Sequence, residues 1–206
     1  MTTIVRVDPT EPAIALTWMI STRCNYDCMY CPADWHDSHS AHPDLKTLQT
    51  VWDNFYQNTR SQRQPYKISF TGGEVTANRN FIPLIKYIRK GNFNIKQVVV
   101  TTNGSASKKY YAQLVQWVDA ISFSTHSEFF NEQDFFSKVE HINGLMPRPS
   151  KSLHVNIMDE PWNKNRISLY QDWCQQRNIS YSVNSINFSR QIRTEPVHKG
   201  VENLVA

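Results

Sequence analysis

Six apolar or β-branched runs separated by amphipathic stretches recur along the chain, and that alternation restricts it to repeated βα units on a parallel sheet. The runs lie at 13–21, 66–71, 96–102, 119–125, 152–158 and 179–185. Helical spacing fills the gaps. The first helix follows Asp44 as its N-cap and aligns Leu45, Leu48, Trp52 and Phe55, while the second carries Phe81, Ile85 and Ile88 and stops at Gly91. Three more start near Ser107, Asn131 and Asn165. Their apolar faces hold Tyr111, Leu114 and Val118, then Phe135, Val139 and Ile142, then Ile167, Tyr170 and Trp173 or Cys174.

Strand parity constrains the architecture further, because successive side chains point to opposite faces of a sheet. In the fourth run Ile121 and Phe123 oppose Ser122, Ser124 and His126; in the fifth Leu153, Val155 and Ile157 oppose His154, Asn156 and Met158. The sixth sets Ile179, Tyr181 and Val183 against Ser180, Ser182 and Asn184. A parallel sheet packed by helices on both faces is apolar on both, so the recurring polar face lines a wet or ligand-filled concavity. These features specify an α/β fold, a partial (βα)6 TIM-like barrel of parallel strands with helices outside and its mouth at the strand C-termini. The alternative, an antiparallel sheet with a solvated face, conflicts with the intervening helices.

At 206 residues the chain fits a single domain, residues 1–206, with a core over about 13–187. The segment 188–206, containing Arg190, Arg193, Pro196, Lys199 and Gly200, has little apolar periodicity and is expected either to wrap over the barrel or to form a mobile end. The formal net charge of +4 is scattered, which argues against nucleic acid as a partner. No basic segment leads into an apolar run at the start, and no run reaches ~18 apolar residues, so no membrane association and a cytoplasmic location are expected.

Chemistry concentrates in two loops. Cys24, Cys28 and Cys31 follow the first strand run in Cys-Asn-Tyr-Asp-Cys-Met-Tyr-Cys. Three thiolates on one short loop can hold an iron-sulfur cluster while leaving one iron without a protein ligand. A reducing compartment suits them. Cys174 stands apart at helical spacing and reads as a small core residue. After the second run comes Phe-Thr-Gly-Gly-Glu-Val-Thr, in which Gly72 and Gly73 allow a ligand close to the backbone and Glu74 can anchor an amine. A rival reading gives the three cysteines and His36 to zinc, or to an electron-transfer cluster. His36, His39 and His42 lack the fixed spacing of a helical metal site and read as a polar loop.

The spacing Cys24-x3-Cys28-x2-Cys31, with aromatic Tyr30 before the last cysteine and Gly72-Gly73-Glu74 after the second strand, resembles the radical S-adenosylmethionine (radical SAM) superfamily. The resemblance spans the whole six-strand pattern. It implies that Cys24, Cys28 and Cys31 bind three irons of one [4Fe-4S] cluster, and that the fourth iron chelates the amino and carboxylate groups of S-adenosylmethionine. An electron then cleaves the sulfonium bond to give a 5′-deoxyadenosyl radical, which abstracts hydrogen from a small-molecule or peptide substrate. A reductant such as flavodoxin or ferredoxin would supply that electron. By the same resemblance Gly72, Gly73 and Glu74 receive the methionine amino group and the backbone of Tyr30 approaches the adenine. Asn103, Ser122, Ser124 and Asn156 take positions that bind the carboxylate or ribose. His126, Asp159 and Trp162 are candidates for the substrate side. Because no C-terminal cysteine-rich extension is present in the sequence, a single cluster is expected. A non-catalytic partner subunit and a glycyl-radical activating enzyme are the alternatives.

Overall fold

The structure, a computed structural model, describes residues 2–8, 13–32, 35–146 and 150–186. Seven strands form one sheet in sequence order: β1 (Thr3–Asp8), β2 (Ile14–Met19), β3 (Tyr66–Thr71), β4 (Ile95–Thr102), β5 (Ala120–Ser124), β6 (Ser152–Asp159) and β7 (Ser180–Ser185). From β2 onward every neighbouring pair is parallel. The connections carry α1 (Leu45–Thr59), α2 (Phe81–Lys90), α3 (Lys108–Leu114), α4 (Glu132–Leu145) and α5 (Ile167–Gln176). Strand order never reverses. There is accordingly no switch point of the doubly wound kind, and the winding is that of a barrel opened between its first and last strands.

One strand lies outside the six-strand expectation. β1 pairs antiparallel with β2, Thr3 opposite Met19, with an irregularity between Ile4 and Arg6. The Thr-Ile-Val-Arg-Val run is rich in β-branched residues, but the sequence between it and the next apolar run is too short for a crossover helix, so a search for βα units passes over it. The expected end segment 188–206 lies outside the described residues.

Three helix starts, those of α1, α3 and α4, agree with the sequence because a side chain there meets an unpaired backbone N–H. Asp44 accepts from Thr47 N at 2.7 Å, Ser107 from Tyr110 N at 3.2 Å, and Asn131 from Asp134 N at 2.9 Å. The helices cover one face of the sheet only. Ile14, Leu16, Trp18, Tyr66, Ile68, Phe70, Val98, Val100, Ile121, Phe123, Val155 and Ile157 are buried beneath them. The alternate positions, Thr17, Ser69, Thr101, Ser122, Asn156 and Ser182 among them, stay partly accessible on the concave side. Cys174 is buried on α5 within the apolar core.

Trp52 of α1 anchors the first units. It stacks on Trp18 with centroids 6.3 Å apart and meets Tyr66 and Phe93 edge-on at 5.8 and 5.4 Å. Its ring is fully buried and its indole N–H has no hydrogen-bond partner, so it contributes area and contacts rather than a polar bond. Trp52→Ala is expected to cost about 3–5 kcal/mol, measured as a lowered urea midpoint with unchanged slope, whereas Trp52→Phe should lose less than half of that.

Candidate functional site

The two loops that carry the motifs extend the β2–β3 pairing beyond the strands. Ile20 N donates to Thr71 O at 3.2 Å, Gly73 N to Ser21 O at 2.8 Å, and Glu74 N to Arg23 O at 2.9 Å. The backbones approach so closely that a Cβ on Gly73 would lie 2.1 Å from Arg23 O, and one on Gly72, whose φ is +140°, would lie 2.3 Å from Ser21 O. In this structure the paired glycines therefore make room for the cysteine loop's own backbone. The far end of that loop is tied back at Asp37. Cys24 N donates to Asp37 O at 2.9 Å and Asp37 N to Thr22 O at 3.1 Å. The Asp37 carboxylate accepts from Ser40 N and Oγ, Thr22 Oγ1 and His39 N, donors that hold it well below the usual carboxylate range.

Inside this loop Cys24, Cys28 and Cys31, none of them in a disulfide, line one cavity of about 250 Å³. Burial pushes Cys24 up to about 11, with the backbone N–H of Tyr26 opposing it and Glu74 adding to it. Burial raises Cys28 further, reinforced by Glu128. Thiolates at these positions need a positively charged group beside them, which a bound metal would supply. Among the described residues no three His, Cys, Asp or Glu side chains converge on a single-ion site. His36 instead braces the loop, with Nε2 2.5 Å from Tyr26 O and Nδ1 3.5 Å from Asp27 Oδ1. His39 sits beside Ser38 on the surface, and His42 lines a separate hollow with Arg23. The three histidines diverge, as a polar loop requires.

The same cavity is walled by Gly72, Gly73, Glu74, Asn103, Tyr30, Ser124 and His126. Glu74 is 1% exposed and its carboxylate is already engaged. Oε1 accepts from Thr76 N at 2.8 Å, Thr76 Oγ1 at 2.6 Å and Thr102 Oγ1 at 2.8 Å, while Oε2 accepts from Asn103 N at 2.6 Å. Burial raises its pKa and these donors oppose the rise. The side chain thus fastens the end of β3 to the end of β4. Asn103, held this way, reaches Asn25 Oδ1 at 3.1 Å and Cys24 Sγ at 3.9 Å.

Tyr30 turns its ring inward. It stacks on His126 at an interplanar angle of 12°, with its hydroxyl 2.5 Å from Nδ1; Cys28 Sγ lies 3.5 Å from the same nitrogen. Burial lowers His126 to about 4, so the imidazole is neutral near pH 7. Behind it lies Glu160, fully buried. Its Oε2 accepts from Ser127 N at 3.0 Å, from the Ser127 hydroxyl and from Asn163 Nδ2 at 3.2 Å, whereas Oε1 has no hydrogen-bond partner. Burial pushes Glu160 up to about 7. Sequence reading passed over Asp37, Tyr26 and Thr102 because their roles depend on contacts between distant loops; Glu160, one of two carboxylates expected near the mouth, is a buried loop anchor bonded to Ser127 and Asn163.

Ser122 and Asn156 lie deeper on the concave face, where Asn156 Nδ2 donates to Ser122 Oγ at 2.8 Å and Ser124 Oγ at 3.2 Å. Trp162 and Asp159 are outside the cavity lining, and the Trp162 indole donates to Ser127 Oγ at 2.9 Å, a loop anchor.

Two outcomes follow from this geometry. Gly73→Ala should force the two loops apart, giving near-native far-ultraviolet circular dichroism but a reconstituted iron and sulfide content well under half of wild type. Glu160 keeps its proton in the folded chain between pH 4.5 and about 7, where the unfolded chain has released it. The metal-free protein therefore loses stability as pH rises through that window, and Glu160→Gln should not. The gap in urea stability should grow in favour of the variant by on the order of 2–3 kcal/mol between pH 5 and pH 8.

The radical SAM superfamily sequence model matches residues 18–129, which include both motif loops and run from the end of β2 through β5. A GTP 3′,8-cyclase of Pectobacterium atrosepticum is 30% identical over 176 residues, covering 78% of this chain and 51% of that protein. A GTP 3′,8-cyclase of Pasteurella multocida is 30% identical over 101 residues, 49% of this chain and 28% of that protein. The chain thus spans about half or less of the curated relatives it matches. Streptococcus suis SuiB bound to its precursor peptide SuiA superposes with a TM-score of 0.64 at 14% identity, covering 86% of this chain and 41% of that one. SuiB bound to S-adenosylmethionine gives a TM-score of 0.61 at 13% identity, covering 88% of this chain and 44% of that one. These structures share the fold. Members of the matched family use a [4Fe-4S] cluster and S-adenosylmethionine. With the family match covering more than half of its residues, the chain belongs to the radical SAM superfamily.

Proposed function

We propose that this chain is a radical SAM enzyme that holds one [4Fe-4S] cluster on Cys24, Cys28 and Cys31 and abstracts hydrogen from a small-molecule or peptide substrate at the barrel mouth. The observation that carries this reading is the joining of the cysteine loop to the Gly72-Gly73-Glu74 loop by backbone hydrogen bonds around one cavity. When bound, the cluster and S-adenosylmethionine supply one-electron cleavage of the sulfonium bond and a radical for hydrogen abstraction.

The chain's own residues position and shield that chemistry. Cys28 is buried and Cys24 and Cys31 are half-buried, which limits the water that reaches the cluster site. Glu74 acts through the backbone it fixes: by clamping Thr76, Thr102 and Asn103 it presents the Gly72–Gly73 backbone and the Asn103 side chain to the amino and carboxylate ends of the cofactor. Ser124, oriented by Asn156, offers a hydroxyl on the opposite wall for a ribose. His126, neutral and backed by Tyr30, faces the same cavity from the end of β5 and is assigned to the substrate side. The electron comes from a flavodoxin or ferredoxin in the cytoplasm.

An anaerobic assay tests this. Protein reconstituted with iron and sulfide, reduced with dithionite and given S-adenosylmethionine should form 5′-deoxyadenosine. Cys28→Ala should lose both the cluster absorbance and product. Glu74→Gln places an N–H against the donors around the clamp, so it should keep the cluster and weaken cofactor binding by about tenfold or more. An intact reduced cluster that yields no 5′-deoxyadenosine overturns the enzyme reading, and undiminished cleavage by Glu74→Gln overturns the clamp.

A further inference from the structure

Below the cofactor cavity, a hydrogen-bonded strip of neutral side chains crosses the concave face of β5, β6 and β7. The register brings its members level: Ser122 with His154 and Ser124 with Asn156, then His154 with Ser180, Asn156 with Ser182 and Met158 with Asn184. Asn156 donates to Ser122 and Ser124, and its Oδ1 accepts from Ser182 Oγ at 3.2 Å. His154 bridges Ser180 at 2.5 Å and Ser182 at 3.0 Å, and burial lowers its pKa, so it too is neutral.

Counting donors and acceptors shows what this strip leaves for a ligand. Ser182 has one hydroxyl proton. Given to Asn156 Oδ1, it is no longer available to Asn184 Oδ1, which lies 3.4 Å away, and Ser182 accepts instead from His154 Nε2. Among the described residues the half-buried Asn184 carboxamide is then unspent. Ser122 and Ser124 each accept from Asn156; the Ser124 hydroxyl is assigned above to the ribose, and Ser122 keeps a hydroxyl proton to donate. The unspent groups are a hydroxyl and a carboxamide, both uncharged. Among the described residues that line the cofactor cavity above there is no lysine or arginine, and the one carboxylate, Glu74, is engaged by four donors. A polyphosphate or other multiply charged group placed here would be desolvated without a cation to meet it, whereas an amide or hydroxyl finds both donors and acceptors.

We infer that the part of the substrate that enters the barrel is uncharged and bears hydroxyl or amide groups, held by the strip Ser122–Asn156–Ser182–Asn184. This rests on the radical SAM reading above and specifies the substrate class of that same site. A blocked peptide and a nucleoside both supply such groups, and the test separates them. GTP, after which the curated relatives are named, is the charged counterpart of guanosine.

Isothermal titration of the cluster-loaded protein with S-adenosylmethionine present would use guanosine, GTP and the blocked dipeptide acetyl-Ser-Asn-amide as probes. Guanosine or the dipeptide is expected to bind, and whichever does so identifies the source of the group. GTP should bind no more than about threefold tighter than guanosine, with little change between about 50 and 300 mM NaCl. Asn156→Ala should weaken the neutral probe by about tenfold or more, and Ser182→Arg, which adds a phosphate-binding cation, should raise the GTP-over-guanosine preference by a similar factor. The inference is overturned if wild-type protein prefers GTP by about tenfold or more with steep salt dependence, if neither neutral probe binds at about 5 mM, or if Asn156→Ala binds the neutral probe as wild type does. Formation of 5′-deoxyadenosine under dithionite without any substrate reports the radical SAM reading independently, so a charged-substrate result leaves that reading standing.

Discussion

The hydrogen bonds from Gly73 N and Glu74 N to Ser21 O and Arg23 O join two loops that would otherwise be independent ligand-binding segments. They continue a parallel ladder past the ends of β2 and β3, so the rigidity of the sheet extends into the cysteine loop. Both glycines are required by contact with backbone, since a Cβ on either would meet a carbonyl oxygen. Glu74 repeats the device one strand further on, tying β3 to β4 through Thr102 and Asn103. The cavity is thus a rim of strand ends fastened side by side, and moving one fastening moves the thiols relative to the walls that face them.

Much of this was legible in the sequence for physical reasons. Ser122, Ser124, Asn156 and Ser182 alternate with apolar residues at period two, and no covering helix could tolerate that face, so parity alone located the concave side. Asp44, Ser107 and Asn131 marked helix starts because their short polar side chains satisfy backbone N–H groups. Cys24, Cys28 and Cys31 were close enough in sequence for a shared site. What stayed hidden was pairing between segments far apart in the chain. Nothing local distinguishes Asp37 from other loop aspartates, and Glu160 shares its environment with Tyr30, 130 residues earlier in the numbering. β1 was missed because it lacks the helix that identified every other strand.

The electrostatic character of the site follows from its burial. Two carboxyl groups, Glu74 and Glu160, and the thiols of Cys24 and Cys28 all have raised pKa values in the same few strand ends, with desolvation the largest cause in each. Such a region resists further negative charge and welcomes a cationic group, whether iron or a sulfonium. His126 stays neutral for the same reason. A thiol-lined cavity beside a neutral hydroxyl and amide wall gives the two halves of the barrel interior different chemistry.

Asp37 holds the base of the cysteine loop through donors from Thr22, His39 and Ser40, and those donors keep it ionised far into acid. The loop is in effect a lariat whose knot holds well below the usual carboxylate range. Acid release of any iron held by such a loop would therefore begin with protons reaching sulfur while the Asp37 fastening is still made. The emptied loop would keep its shape, so that restoring iron and sulfide at neutral pH refills a preformed ring rather than refolding one.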